Sequence, residues 1–194
     1  MSNRRSVLFG MMGAVTLLCA GSRSASARTY MDLAKSLLKK PPNGGRYRPD
    51  LESVIVSLTN SYRASEGKKA LSPSNDLRNA ARAHAADMMA NGFIGHKASS
   101  GHGFDSRMRY FLGNPTVLPR MGENAARDSQ GGPADAAKAK RLFNQWVNSR
   151  GHRKSMLSRD YQFMSAGVIE SGGDIWAVQI FWANPPQTNL SGGL

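Results

Sequence analysis

Of the four histidines in the chain, His96 and His152 each stand directly after a glycine, and Glu123 follows Gly122 in the same way. Glycine lets the backbone turn sharply, so each of these side chains can be held at the rim of a cleft. Two imidazoles and a carboxylate suit a borderline divalent metal such as zinc, and three protein ligands leave a fourth position open to water. Glu123 would then either complete the ligand set or activate that water, which makes it the catalytic candidate of a metal-dependent hydrolase. The spacing matches no compact motif, and no His-Glu-x-x-His occurs. His102, within Gly-His-Gly, competes as a ligand, although a solvated loop histidine is its plainer reading. His84 lies on an apolar helical stripe and reads as a hydrogen-bonded core residue. No Gly-x-Ser-x-Gly elbow presents a nucleophilic serine, and the single cysteine, Cys19, lies in the N-terminal segment.

The elements that must position these residues are legible from periodicity. Ala139, Leu142, Phe143, Trp146 and Val147 fall on one helical face. Ser149-Arg150-Gly151 then interrupts the helix, and Gly151 is expected to free the chain so that His152 swings into the cleft. If Ser149 caps the following turn, the positive helix end disfavours imidazolium at His152, and neutral imidazole is the metal-binding form. Upstream, Leu51, Val54, Ile55, Leu58 and Tyr62 predict a helix capped by Asp50 and closed by Gly67. Leu77, Ala81, His84 and Met88 predict another, capped by Ser74 or Asn75 and ended by Asn91-Gly92. A short helix capped by Asp105 or Ser106 should run to about Leu112, with Met108 and Phe111 inward. Strands come last: Met164–Ile169, a turn at Ser171-Gly172-Gly173-Asp174, then Ile175–Trp182 with Trp176, Val178, Ile180 and Trp182 on one side. Helices first and a hairpin last predict an α+β arrangement.

With 194 residues the chain suits one domain with its own core, and 26 Lys+Arg against 13 Asp+Glu give a net charge of +13. Such a charge favours anionic surfaces, including envelope polymers and lipid headgroups. The basic residues are scattered with few aromatics among them, which disfavours nucleic acid. Arg4 and Arg5, a short apolar run over Val7–Ala20 and Ala25-Ser26-Ala27 describe a cleavable export signal over residues 1–27, with a hint of the twin-arginine route. The mature chain would be periplasmic or secreted, with no cysteine and no transmembrane span. Residues 28–48 read as an arm outside the main domain, 49–184 as the domain, and 185–194 as a disordered tail.

Several segments in register resemble the bacterial form of the CAP superfamily, the SCP-like or pathogenesis-related-1-like domain. They are Leu58–Arg63, Ala80–Met89, Gly95-His96 with Phe104 to Arg107, Gly122-Glu123-Asn124, Trp146–Arg153, Ala166-Gly167-Val168 and Trp176–Phe181. The resemblance implies an α-β-α sandwich, with a small antiparallel sheet between helical layers. It also implies a cleft lined by two histidines and two acidic residues that holds zinc or another divalent ion in some members. His96, Glu123 and His152 match three of those positions, while Asn148-Ser149 stand where the second acidic residue would be. Asn60 and Arg63 match the pattern as anchors of neighbouring loops, and Gln179 either joins the core or points into the cleft. The expected function is an exported binding module for a divalent metal or small ligand. Its alternatives are a metal-dependent hydrolase and a lipid or sterol binder, so whether it is an enzyme stays open at this point.

Overall fold

The computed structural model describes residues 30–184. The expected export signal, with Cys19, and the expected C-terminal tail lie outside them. In chain order the elements are α1 (Tyr30–Lys39), β1 (Arg46–Tyr47), α2 (Pro49–Ser65), β2 (Ser72–Pro73), α3 (Arg78–Asn91), α4 (Phe104–Phe111), β3 (Met121–Asp128), α5 (Ala136–Asn148), α6 (Arg150–Leu157), β4 (Phe163–Ser171) and β5 (Asp174–Trp182). The sheet runs β1-β4-β5-β3, and its pairings along that path are antiparallel. Its one parallel contact is the two-residue β2 against the start of β4. Strand β3 is therefore an edge. The sequence signals no strand from Met121 to Asp128, because Ala125-Ala126-Arg127 carries no β-branched residue to mark one.

The period-2 alternation of the strands sorts the core into two halves. Ala126, Val168, Ile175, Ala177 and Phe181 pack with Leu51, Ile55, Leu142 and Trp146, the layer of α2, α5 and α6. Ala125, Ile169, Trp176, Val178 and Ile180 pack with Leu77, Ala81, Met88 and Met108, the layer of α3 and α4. The α-β-α sandwich follows from these two faces, and the alternation predicted for Trp176–Trp182 holds.

Helix α3 is buried almost all round, with Ala80, Ala81, Ala83, Ala85 and Ala86 covered. Its small residues let it lie close on the sheet. At Gly167 of β4 a Cβ would sit 2.3 Å from the Arg82 backbone nitrogen, so only glycine allows this approach. Glu52, also buried, takes both Arg82 Nε (2.6 Å) and Arg82 Nη2 (2.7 Å), and accepts from the Val168 amide.

Local expectations change at the arm and at the helix caps. The described part of the expected arm, from Tyr30 onward, is not outside the packed body: Tyr30, Ala34 and Leu37 of α1 are buried, and α1 lies against α3. The anticipated caps shift as well. Helix α2 starts at Pro49, whose missing N–H suits a first turn, and Asp50 bonds Arg48 instead. Helices α3 and α4 are preceded by Leu77 and Gly103, neither of which uses a side-chain cap. No helix among the described residues is long and apolar enough to cross a membrane.

Candidate functional site

Glu123 lies on edge strand β3, paired with Ile180, and so faces the α3–α4 layer. Its side chain is 2% exposed. Arg107 of α4, itself fully buried, brings one nitrogen, Nη2, to both carboxylate oxygens (2.7 and 2.8 Å) and to the His96 carbonyl (3.1 Å). His96 donates from Nδ1 to Glu123 Oε1 (3.0 Å) while its side chain stays 55% exposed. His84 Nε2 approaches the same oxygen at 3.9 Å. Burial alone would raise the Glu123 carboxyl, but the His96 hydrogen bond and the Arg107 charge outweigh it and hold the pKa below the ordinary value. That hydrogen bond in turn raises His96, against the opposing effect of its partial burial.

His152 arrives from the other side of the sheet. Its neighbour on β3 is Asn124, whose side chain points to the opposite face from Glu123. Asn124 Nδ2 donates to the His152 carbonyl (3.2 Å) and to Gln179 Oε1 (3.2 Å). Gln179 Nε2 donates onward to Thr59 Oγ1 (2.6 Å), so Gln179 belongs to the core and not to a cleft. The His152 imidazole is half-buried. Burial lowers its pKa first and the His96 charge lowers it further, so the two rings lie within electrostatic reach of each other across the edge of β3.

The break that aims His152 is Ser149, not Gly151. Ser149 is extended (φ −90°, ψ 120°) between the end of α5 and the start of α6. Gly151 sits inside the first turn of α6, has no positive φ, and would meet nothing within 4 Å if it carried a Cβ. The Ser149 side chain makes no capping bond.

The remaining sequence candidates separate cleanly. His84 is a core histidine: Nε2 donates to the Gly95 carbonyl (2.7 Å), fixing the loop that carries His96. Burial lowers its pKa, and its buried Nδ1 has no partner. His102 is not a freely solvated loop residue. It is half-buried between the rings of Tyr30 and Tyr110, each 5.8 Å away. Asn60 exchanges two hydrogen bonds with the Leu71 backbone, and Arg63 holds the carbonyls of Lys69, Met156 and Ser158, so both anchor loops as expected.

Arg107 is the residue that sequence reasoning passed over. Its signal was present, since Phe104, Arg107, Met108 and Phe111 share one helical face and an arginine on an apolar stripe needs a buried partner. The Tyr30 hydroxyl is buried beside the Arg107 guanidinium, close enough for each group to act on the ionisation of the other. Burial pushes Tyr30 up to about 12, with the Arg107 charge opposing.

These distances decide what the site can do. Glu123 has both oxygens committed and almost no exposure, so it is placed to orient His96 and not to meet a water. A metal-binding histidine commonly donates its second ring nitrogen to such a carboxylate, which fixes its tautomer and raises its basicity. Among the described residues no three His, Cys, Asp or Glu side chains are grouped to hold an ion. A metal would rest on His96 Nε2 and the His152 imidazole, with solvent completing the shell.

Comparison with known proteins agrees with this architecture. The family model CAP, cysteine-rich secretory protein family, matches residues 56–181. The uncharacterized protein YkwD of Bacillus subtilis is 33% identical over 129 residues, 66% of this chain and 46% of its own length. The chain thus spans less than half the length of the curated relatives it matches. An outer surface protein from Borrelia burgdorferi superposes with a TM-score of 0.59 at 16% identity, over 71% of this chain and 97% of its own. An extracellular protein containing a SCP domain from Bacillus anthracis gives 0.55 at 22% identity, over 76% of this chain and 49% of its own. At those identities the structures speak for the fold.

Proposed function

The chain belongs to the CAP family of cysteine-rich secretory proteins, and from that premise we propose that it is an exported binding module whose site is the imidazole pair His96 and His152. One observation carries the proposal. His96 spends Nδ1 on a buried carboxylate and keeps Nε2 free at an exposed ring, the arrangement of a ligand-ready imidazole. His152 lies near enough for the His96 charge to act on it, and burial, with that charge, lowers its pKa and favours the neutral, electron-donating form. Arg107 holds Glu123 ionised, so the carboxylate keeps its grip on His96. A divalent ion held there would supply a Lewis-acid centre with open positions for an oxygen of a small ligand. The full chain's net charge of +13, which becomes 13 − 3 = +10 once Arg4, Arg5 and Arg23 leave with the export signal, would keep the module close to anionic envelope material.

The protein recovered after export, expected to begin at Arg28, should be titrated with zinc while stoichiometry and thermal midpoint are followed. Saturable binding raises the midpoint by mass action, by an equivalent of about 2.7 kcal/mol at a hundredfold excess over Kd. His96→Ala and His152→Ala should each abolish the rise, and Glu123→Gln should weaken it about tenfold or more. Zinc that neither binds nor stabilises the wild type would end the metal reading.

A further inference from the structure

Arg63 is 2% exposed, yet its guanidinium meets no carboxylate. Nε donates to the Lys69 carbonyl (2.8 Å), and Nη1 to those of Met156 (2.6 Å) and Ser158 (2.8 Å). The second terminal nitrogen, Nη2, has no partner among the described residues. Burial is the single influence on its pKa, and it acts downward, as expected where no anion compensates the charge. The side chain lines a cavity of about 690 Å³ whose wall also includes Lys68, Lys69, Arg159, Tyr161 and Gln162. This cavity shares no residue with the histidine site.

Backbone geometry presents these cations. Gly67 takes φ +63° after the end of α2, and the Lys68 amide returns to the Arg63 carbonyl (2.8 Å), which sets Lys68 and Lys69 on a tight turn. Arg159 follows the C-terminus of α6. The neighbouring acids do not neutralise the group: Asp160 pairs with Arg120 (2.9 Å), and neither it nor Glu66 lines the cavity. Four cationic residues thus line one hollow whose wall includes no acidic residue, and one of them, Arg63, is buried. With Nε and Nη1 held by three backbone carbonyls, Arg63 has one nitrogen, Nη2, left to give, and a tetrahedral oxyanion has acceptors enough to take it together with the flanking cations. The hollow has more room than inorganic phosphate fills.

We propose that this cavity is a second binding site, for ligands carrying a phosphate group, with Arg63 at its base and Lys68, Lys69 and Arg159 around it. The phosphate could belong to a soluble ester or to a lipid headgroup, and the two sources are separable by experiment. The site is independent of the metal reading at His96 and His152.

Calorimetric titration with glycerol phosphate should show saturable binding that His96→Ala leaves unchanged. The double variant Lys69→Gln/Arg159→Gln alters two exposed side chains and should weaken binding by at least roughly tenfold. Lys140→Gln, which removes an exposed charge elsewhere on α5, should not. Arg63→Lys keeps the charge but cannot hold the three carbonyls and leave a nitrogen for the ligand as well, so it should also weaken binding; if it fails to fold, the double variant decides. Phosphatidylglycerol vesicles that bind and are displaced by glycerol phosphate would place the lipid headgroup in the same cavity. Absence of saturable binding at millimolar glycerol phosphate would overturn the proposal. So would binding that Lys140→Gln weakens as much as the double variant, because diffuse surface charge would then account for it.

Discussion

Glu123 and Arg107 form a buried ion pair in which one guanidinium nitrogen spans both carboxylate oxygens, and His96 completes the set. Removing one partner strands the other in a low-dielectric interior, so Glu123→Gln should cost about 3–5 kcal/mol of stability in denaturant unfolding. The pH dependence has a definite sign. Glu123 is held below its ordinary 4.5 in the folded state, so its stabilisation is fully present above that value. It is lost as pH falls through the lower folded value. Urea midpoints measured down the acid limb should therefore fall more steeply for the wild type than for Glu123→Gln. A glutamine variant as acid-sensitive as the wild type would assign the acid limb to other groups. His96, Glu123 and His152 were legible as chemistry-bearing residues, but their division of labour was not. Adjacent residues on a strand face opposite ways, so Glu123 and Asn124 serve different helical layers, and only the strand assignment reveals that.

At the scale of elements, two glycines exchange the importance their sequence contexts suggest. Gly167 meets the α3 backbone so closely that Gly167→Ala should destabilise by about 1–3 kcal/mol or more, as overpacking does. Gly151, in the first turn of α6 with open space around it, should accept alanine with a gain of about 0.4–1 kcal/mol through a stiffer unfolded chain and a better helix. Denaturant midpoints of the two variants check the contrast, and destabilisation by Gly151→Ala would restore a turning role to that residue. The hinge between α5 and α6 lies at Ser149 because its extended backbone ends one hydrogen-bond ladder and begins the next. Helical periodicity located α5. It could not locate the hinge, since a serine in extended conformation and a glycine in a helix carry no periodic signal.

At the scale of the whole molecule, α1 closes one side of the sandwich. Its Tyr30, Ala34 and Leu37 are buried against the rest of the fold, and Tyr30 reaches the surroundings of Arg107. A chain beginning at Pro49 should therefore lose on the order of 3 kcal/mol against one beginning at Arg28. That is the burial of two large side chains less the ordering entropy of a short helix. Equal unfolding midpoints for the two chains would show that α1 adds nothing to the core. The amino-acid sequence by itself determined the fold class, most of the helices and the β4–β5 hairpin with the alternation of its two faces, and it singled out His96 and His152 as candidates. Those are consequences of local periodicity, of glycine and proline punctuation, and of a resemblance carried by many segments in register. Tertiary structure alone decided that β3 is an edge strand, that Arg107 pairs with Glu123 in the interior, that His152 comes within electrostatic reach of His96, and that Arg63 has no carboxylate partner among the described residues. Each of these depends on which charges are buried together, and burial of one charge beside another is a property of packed layers that no window of sequence contains.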